Sequence, residues 1–327
     1  MADRAPEIKL TNDGLHLEGS ILWFDSLRSG ELSFLSAPSK SPCIGPKIIT
    51  TEVTLKILES QQKKPQALVC QYNRPFAVGK LKMELLPSGS QLGGSSLHVD
   101  IEGNHDILYA PQLLSQKNST VRKMQIRKAK TLILYAEHPD PSAVMPNRKK
   151  EKERLVNSVK NFTEKGVHPV ILCRTMPTAQ EVTSLLTEAQ IPVSVHSSIF
   201  KINRIYEQFG SQLGQYSLHR TKKRRQKALV LPLLNQGRMK LAIPEGPVFC
   251  VEDTKNESTP PEAFRQVSDR FYISSTCDGR DLREIIQAVD PSQVYLFGPY
   301  TKRYVEALEG LGPTIKPLYP NDQPTLF

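Results

Sequence analysis

The chain has 327 residues, with Lys and Arg outnumbering Asp and Glu by 43 to 33 and a net charge of +10. This length is enough to bury a full core and corresponds to two domains, or to one domain with a large insert. The sequence has no apolar run long enough to span a membrane, and its start, MADRAPEIKL, lacks the pattern of a secretory signal. A membrane protein is therefore excluded, and a soluble, cytoplasmic protein is expected.

Short strand patterns separated by Gly, Pro, Ser and Asn fill the first third of the chain. One helix interrupts them, because the stretch from Thr51 to Ser60 has apolar residues at mixed helical spacing, with Thr50 or Thr51 as the N-cap. This region is predicted to form a strand-rich sheet with one early helix. The strand patterns are IKL, LHLEG, ILWF, SFLS, ALVCQ, LKMELLP, SSLHVDI and DILYA.

From Lys128 the pattern changes to alternating strands and helices, which is typical of a parallel sheet covered by helices. The stretch VEDTKNESTPPEAF is predicted to be a connecting loop, and the alternation resumes after it. The fold class is therefore α/β. The predicted strands are TLILYAEHP, HPVILC, IPVSVH, RFYISS, QVYLFGP and TIKPLYP, and the predicted helices are Lys149–Lys165, Thr178–Ala189, Phe200–Phe209, Gly279–Ala288 and Lys302–Leu311.

Several stretches, in this order, resemble the framework of one family: WFD at 23–25, TAQEV at 178–182, IPVSVH at 191–196, and INRIY at 202–206 followed by FG. They resemble the small β-CASP exonuclease-like proteins of the metallo-β-lactamase fold, the group that includes the ligase-associated DNA exonucleases of bacteria. The resemblance runs nearly end to end. It implies an αββα sandwich formed by 1–138 and 269–327, an inserted β-CASP α/β domain at 139–268, and a cleft between the two.

The first metal-binding motif of that family is missing. A two-metal nuclease needs imidazole and carboxylate ligands that hold two ions about 3.5–4 Å apart. The family supplies several of them from a His-x-His-x-Asp-His loop after a strand. In this chain SFLS is followed by APSKSP, so the four ligand positions hold Ala37, Ser39, Ser41 and Pro42. None of these side chains can replace an imidazole or a carboxylate.

The remaining ligand positions differ in the same way. LPSGSQLG, ILYAPQ, FYISSTCD and VYLFGP resemble later motifs of the family, but the ligand positions in them hold Ser90, Gln112, Thr276 and Gly298. Tyr135 replaces an expected acidic residue. Only Ser274 and Asp278 of the FYISSTCD motif survive, and one carboxylate cannot hold a metal. The resemblance therefore implies a pseudoenzyme with no catalytic residues, no metal and no cofactor.

A relocated metal site is the main alternative for chemistry. His98 and Asp100 lie on one face of a predicted strand, and His105 with Asp106 follows a short turn. These four side chains form either a metal site or a solvated turn of a surface hairpin. The five cysteines are far apart, which argues against a disulfide framework or a structural zinc. Cys43 and Cys277 each lie beside a lost ligand position.

Three basic stretches are candidates for nucleic-acid binding, since phosphate contacts add affinity without sequence specificity. The densest lies in the predicted insert and is either a nucleic-acid-binding run or a solvated loop. The stretch from Arg148 to Arg154 alternates in sign and is interpreted as a salt-bridged, exposed helix. A third set could face the cleft. The first set is Arg220, Lys222, Lys223, Arg224, Arg225 and Lys227, and the third is Arg122, Lys123, Arg127, Lys128 and Lys130.

Two functions remain open. The first is a catalytically inactive subunit that binds nucleic acid or assists assembly in DNA or RNA processing. Its partners would be DNA or RNA and a protein such as an active relative or another repair or processing factor. The second is a protein-interaction scaffold that binds no nucleic acid. An active metal-dependent nuclease or hydrolase with atypical ligands is the remaining alternative.

Overall fold

The structure is a computed structural model that describes residues 7–26, 31–38, 47–138, 140–142, 144–220, 227–233, 246–253 and 267–320. The chain divides into two compact units. Unit 1 is drawn from 1–115, 123–144 and 277–327, and unit 2 from 116–122 and 145–276. The resemblance placed the insert at 139–268, whereas the main segment of unit 2 begins and ends a few residues later.

The described residues form six helices and nineteen strands. The helices are α1 Glu52–Ser60, α2 Arg148–Glu164, α3 Thr178–Glu188, α4 Ser197–Gln208, α5 Gly279–Val289 and α6 Thr301–Leu308. The strands of unit 1 are β1 Ile8–Thr11, β2 Gly14–Leu17, β3 Leu22–Phe24, β4 Leu32–Phe34, β5 Lys47–Thr50, β6 Ala67–Val69, β7 Phe76–Val78, β8 Leu81–Pro87, β9 Ser95–Ile101, β10 His105–Ala110, β11 Thr131–Tyr135, β18 Gln293–Phe297 and β19 Thr314–Pro317. Those of unit 2 are β12 Val170–Cys173, β13 Val193–Val195, β14 Tyr216–Leu218, β15 Ala228–Pro232, β16 Val248–Glu252 and β17 Asp269–Tyr272.

Unit 1 contains two mixed sheets. Sheet A has six strands in the order β1-β2-β3-β4-β5-β6, and sheet B has seven in the order β19-β18-β11-β10-β9-β8-β7. In sheet B the strands from β7 to β10 run antiparallel, while β10, β11, β18 and β19 run parallel. The chain therefore enters unit 1 again at its C-terminal end to complete a sheet begun by its N-terminal half.

The core of unit 1 lies in layers. One apolar cluster joins residues of sheet A, such as Phe24 and Phe34, to residues of sheet B, such as Leu97 and Tyr109, so the two sheets pack face to face. A second cluster joins the other face of sheet B to α5 and α6. A third joins sheet A to α1 through Leu58. The layers of unit 1 are thus helix, sheet, sheet, helices.

Unit 2 is built on sheet C, whose six strands have the order β14-β13-β15-β12-β16-β17 and are all parallel. Apolar side chains of the central strands alternate between two clusters, as expected for strands buried on both faces. Residues of α2, α3 and α4 pack into the first cluster, beside Ile171 and Val230. Leu172 and Leu229 belong to the second cluster, on the opposite face.

The mixed α/β class predicted from the sequence is confirmed, and every predicted helix is present within three residues of its predicted bounds. Thr51 is the N-cap of α1, since its hydroxyl accepts a hydrogen bond from the backbone N–H of Thr54 at 3.2 Å. The sequence did not predict β5, β7, β14, β15 or β16. The loop prediction from Val251 was wrong at its start, because Val251 and Glu252 end β16 and pair with β17.

In the described part of the chain, no helix combines the length and the apolarity that crossing a bilayer requires. The assignment of the two units to a metallo-β-lactamase sandwich with a β-CASP insert stays a prediction at this point. The candidate functional residues lie in two parts of the fold. One is the set of loops at one end of sheet B, and the other is the two ends of the strands of sheet C.

Candidate functional site

In unit 1, hydrogen bonds join the three loops in which the resemblance places metal ligands. Ser36, which precedes Ala37, accepts a bond from the backbone N–H of Ser95 at 2.7 Å, and Ser88 accepts one from Leu114 at 3.0 Å. The loop after β4 therefore meets the loop between β8 and β9, and that loop meets the one after β10. Their side chains carry no charge at the ligand positions Ala37, Ser90 and Gln112.

The side chains at these positions are small or already bonded. Ala37 and Ser90 are each only 1% exposed. The Gln112 amide oxygen accepts a hydrogen bond from the Gln91 Nε2 at 2.8 Å. Hydroxyl and neutral amide groups are weak ligands for the divalent ions of two-metal nucleases, which take imidazole and carboxylate. These residues do not fit a two-metal centre.

Asp25 is an acidic residue of this region that keeps a defined role. Its backbone has a positive φ of 46° at the end of β3. Its carboxylate accepts hydrogen bonds from the Ser36 backbone N–H at 2.8 Å, from the Ser36 hydroxyl at 2.6 Å and from the Tyr109 hydroxyl at 2.7 Å. Burial and the charge of Asp25 raise the pKa of Tyr109 well above its usual value, so the phenol stays a donor. Asp25 thus fixes the loop that leads to Ala37.

Tyr135 and Gly298, which occupy two further positions where the family places site residues, pack against each other. A Cβ added to Gly298 would lie 2.7 Å from the Tyr135 ring, and Gly298 has a φ of 116°. The Tyr135 ring also packs on Phe297 with centroids 5.1 Å apart. The aromatic ring therefore occupies the space that a histidine at position 298 would need. The resemblance implies a change at both positions, and the structure adds that the two residues are in contact.

Thr276 and Asp278 have local structural roles. In unit 2, the Ser274 hydroxyl donates to the Thr276 carbonyl at 2.8 Å. In unit 1, the Asp278 carboxylate caps α5 by accepting from the N–H groups of Arg280 and Asp281, both at 3.0 Å. The Asp278 carboxylate thus serves the fold as the N-cap of α5.

Cys277 is a buried thiol of unit 1. Burial raises its pKa to about 12, so it stays protonated near neutral pH. Its sulfur accepts from the Ser115 N–H at 3.3 Å. Cys43, which the sequence placed beside another lost ligand, lies outside the described residues. So do the ligand positions Ser39, Ser41 and Pro42.

The hairpin proposed as an alternative metal site has two separate contacts. His98 lies 3.6 Å from Asp106, and the His105 ring lies 2.9 Å from the Thr131 hydroxyl. Asp100 accepts from the backbone N–H of Gly103 and thereby closes the turn. Within the described ranges, no group of three or more His, Cys, Asp or Glu side chains is placed to hold a metal ion. The geometry favours the interpretation as a hairpin turn.

The basic residues differ in their exposure and in whether they already have partners. Arg220 and Lys227 are exposed. They lie at opposite ends of the parallel strands of sheet C, since Arg220 follows β14 and Lys227 precedes β15. Lys222, Lys223, Arg224 and Arg225 lie outside the described residues. Three of the residues considered for the cleft already have partners: Arg127 pairs with Glu84 at 2.6 Å, Lys128 pairs with Asp290 at 3.1 Å, and Lys130 donates to the Asn104 carbonyl at 2.6 Å.

The interpretation of 148–154 as an exposed helix was wrong at its start. Arg148 is 5% exposed, and its guanidinium forms a bidentate salt bridge with Glu181 of α3, with Nη1 at 2.7 Å from Oε1. Lys152 Nζ lies 2.5 Å from the same carboxylate. Arg148 also donates to the carbonyls of Ser274 and Lys117. Alternating charge predicted the ion pairs but not that one pair would join two helices below the surface.

The carboxyl edge of sheet C carries a second paired group that sequence reasoning missed. Arg174, after β12, lies 2.9 Å from Asp253, after β16. Asp253 also accepts from the N–H and the hydroxyl of Ser275 at 2.8 and 2.7 Å. His196, which follows β13, is the N-cap of α4 and accepts from the Ser198 N–H at 3.2 Å. The topology alone could have indicated these contacts, because parallel strands end at one edge.

No family profile matches the chain. Over 234 residues, or 70% of its length, it is 21% identical to a probable DNA ligase of Opitutus terrae. The chain spans only 22% of that relative. Among solved structures it is similar to the crystal structure of a protein of unknown function from Enterococcus faecalis V583, with a TM-score of 0.63, 14% identity, and coverage of 87% of this chain and 78% of that one. This likeness shows a shared fold.

Proposed function

We propose that the chain is a catalytically inactive relative of the β-CASP nucleases, with a metallo-β-lactamase-like sandwich in unit 1 and a β-CASP-like domain in unit 2. In this proposal it acts in DNA processing as a nucleic-acid-binding or assembly subunit. The observation that carries the proposal is the packing of Tyr135 against Gly298. The Tyr135 ring fills the space that a histidine side chain at position 298 would occupy. This supports a site remodelled without metal ligands, because loss of the histidine alone would leave that space empty.

The layers of unit 1 and the parallel sheet of unit 2 support the assignment of the fold. The buried Ala37 and Ser90, and the amide pair of Gln91 and Gln112, support the absence of catalysis. Hydrolysis of a phosphodiester by two metals requires charged or imidazole ligands at several positions at once. Asp25 remains, and it supports the loop through Ser36 and Tyr109 rather than through a metal ligand.

The similarity to a probable DNA ligase supports a DNA-related role. The matched part is a small share of that relative, so a domain like this one is joined there to other regions in one chain. We therefore propose DNA as the first nucleic acid to test. A net charge of +10 favours a polyanionic partner in general.

The protein-interaction scaffold is the second candidate, and one observation favours it. Arg127, Lys128 and Lys130 are already bonded to Glu84, Asp290 and a backbone carbonyl. Arg127 and Lys128 are paired with carboxylates, so their charges release fewer counterions when nucleic acid binds. Binding through these residues would therefore be weak, and a protein partner would not need them.

Metal analysis and a nuclease assay test the loss of catalysis. Purified protein is expected to hold well under one equivalent of zinc or manganese and to hydrolyse neither DNA nor RNA. Ser90→His, which restores one ligand, should remain inactive because both ions must be placed together. Two tightly bound equivalents, with turnover that disappears in His98→Ala or His105→Ala, would contradict the proposal. Hydrolysis by Ser90→His alone would show that the site is more complete than proposed.

Binding across a salt series separates the two candidate functions. Changing Lys222, Lys223, Arg224 and Arg225 to Ala should weaken binding of oligonucleotides of any sequence and reduce the salt slope by roughly 0.7 to 0.9 per lost contact. The matched control changes four exposed lysines of or beside α2 to Ala and removes the same charge; these are Lys149, Lys150, Lys160 and Lys165. No binding by the unmodified protein at low salt would favour the scaffold, whereas equal losses in both variants would show that binding depends on net charge and not on this basic run.

A further inference from the structure

Unit 2 has a cavity of about 520 Å³ at the amino edge of sheet C, where β13, β14 and β15 begin. This volume lies within the range of sites that hold small molecules or single nucleotides. The cavity is formed by the end of α3, the turn before β14 and the residue before β15. It lies at the other edge of the sheet from the paired charges of Arg174 and Asp253. Its lining includes Thr187, Gln190, Gln215, Tyr216 and Lys227.

Tyr216 gives the cavity an aromatic wall. The ring is half-buried, and Phe200 of α4 packs against it edge to face with centroids 5.7 Å apart. Burial is the main cause that raises the pKa of Tyr216, and the negative charge of Glu207 is the second, so the ring stays neutral. A neutral ring held by its neighbour is a suitable surface on which a nucleobase can stack.

The other walls combine the apolar residues Ile191, Pro192 and Val193 with polar residues, and the turn before β14 is held in place. Gly214 has a φ of 71° and lies so close to Thr187 that a Cβ on it would meet the Thr187 Oγ1 at 2.4 Å. The Thr187 hydroxyl donates to the Leu213 carbonyl at 2.7 Å and holds the turn against α3. Gln190, after α3, and Gln215, in this turn, both line the cavity. Primary amides offer a donor and an acceptor together, which is the pattern that base edges require.

The charge at the cavity suits an anionic group. Among the described residues that line it, Lys227 is the only charged side chain. Its ammonium donates to the Ser217 hydroxyl at 3.0 Å, which fixes it at the rim beside Tyr216. Lys227 also ends the basic run that begins at Arg220. A phosphate at the rim would therefore meet one cation and no carboxylate among these residues.

We infer that this cavity receives an unpaired nucleobase of a single-stranded nucleic acid, with its ring stacked on Tyr216, its edge at Gln190 and Gln215, and its phosphate at Lys227. The inference rests on the proposed nucleic-acid-binding function and adds the class of strand to it. A paired base lies within the duplex stack and must be flipped out at a cost before it can enter such a cavity. Single strands should therefore be preferred to duplexes.

Fluorescence anisotropy with DNA and RNA oligonucleotides, single-stranded and duplex, tests this. Tyr216→Leu should weaken single-strand binding on the order of tenfold, as expected for loss of one stacked base, and change duplex binding little. Tyr216→Phe keeps the ring and should bind like the unmodified protein. The matched control is Tyr319→Leu, since Tyr319 is an exposed tyrosine of unit 1, 57% accessible. Lys227→Ala is compared with Lys165→Ala.

A single-stranded oligonucleotide containing 2-aminopurine gives a second reading. Stacking on Tyr216 should quench its fluorescence in the unmodified protein and in Tyr319→Leu, but not in Tyr216→Leu. Unchanged single-strand binding and quenching in a folded Tyr216→Leu variant would overturn the inference while leaving the proposed function standing. Displacement of the strand by a free mononucleotide near the strand's own Kd would also overturn it. If the unmodified protein binds no oligonucleotide, the proposed function fails as well.

Discussion

Two buried polar regions of the molecule differ in how they handle charge. In unit 1, the loops where the resemblance places metal ligands hold neutral side chains, among them Ala37 and Ser90. The side-chain amides of Gln91 and Gln112 in these loops form a hydrogen bond with each other. In unit 2, Arg148 and Glu181 are as deeply buried but keep opposite charges, with Lys152 beside them. One region has no charges at these positions, and the other has two cations that share one carboxylate.

The difference is understandable from the cost of burying an ion. An isolated buried charge costs several kcal/mol, so it persists only with a partner or a metal. Arg148 has a carboxylate and two backbone carbonyls as partners, and it joins α2 to α3. At Ala37 and Ser90, where the resemblance places metal ligands, the side chains are neutral and need no such partners. Neutral side chains there, together with the Tyr135 ring packed at Gly298, form a stable arrangement without a metal.

Removing the shared carboxylate should have the largest effect. Glu181→Gln leaves Arg148 and Lys152 buried without a negative charge, and we expect a loss of about 3 to 5 kcal/mol in the free energy of unfolding of unit 2. Urea unfolding followed by circular dichroism measures it. Glu153→Gln is the control, because Glu153 is exposed and lies 4.0 Å from Lys149. A similar small loss in both variants would break the comparison, since the buried cluster would then behave like a surface pair.

Introducing a histidine at position 298 of unit 1 should have the next largest effect. Gly298→His places a Cβ against the Tyr135 ring and also requires a positive φ, so we expect it to destabilise by about 1 to 3 kcal/mol more than Gly310→His. Gly310 has a φ of 85° and no atom within 4 Å of an added Cβ, so it reports the backbone strain alone. Thermal unfolding compares the two. Adding Tyr135→Ala should recover part of the loss; equal stability of the two histidine variants would show that the ring yields easily.

Lys152 should have the smallest effect. Burial lowers its pKa more than the charge of Glu181 raises it. The unfolded chain therefore binds more protons between the lowered pKa and 10.5, and this group makes the folded state more stable as pH rises through that window. Lys152→Met should change the stability near neutral pH by less than about 1 kcal/mol, since Glu181 keeps Arg148.

The Met variant should also lack this contribution to the rise of stability with pH. Urea unfolding at several alkaline pH values measures it, and Lys160→Met, at an exposed lysine, is the control. A loss as large as that in Glu181→Gln would mean that the lysine, not the arginine, holds the cluster together.

Much of the fold followed from periodicity. The helices were predictable because their apolar faces and caps are local signals, as at α1 with Thr51 and at α5 with Asp278. The missed strands β15 and β16 are short apolar runs beside a basic run and an acidic stretch, and such runs show no alternation when both faces are buried. The layers of unit 1 could not be predicted from periodicity, since they depend on contacts between distant segments.

The candidate site followed from the sequence only in part. The replacement of ligands could be seen residue by residue, because ligand chemistry belongs to side-chain types. The contact of Tyr135 with Gly298, the bonds of Asp25 to Ser36 and Tyr109, and the cavity at Tyr216 join residues far apart in the chain. No local pattern reports such proximity. The burial of Arg148 was missed for the same reason, because its partner lies on another helix.

The order of sheet B has a consequence for synthesis of the protein on the ribosome. Strand β11 pairs with β10 on one side and with β18 on the other. Between Tyr135 and Gln293 the ribosome must translate all of the main segment of unit 2, which takes on the order of 10 to 30 s at about 5 to 20 residues per second. During that time the apolar edge of β11 has no strand to pair with, and such an edge is a site for aggregation. A nascent chain halted before Gln293 should therefore depend on chaperones more than one halted after Pro317.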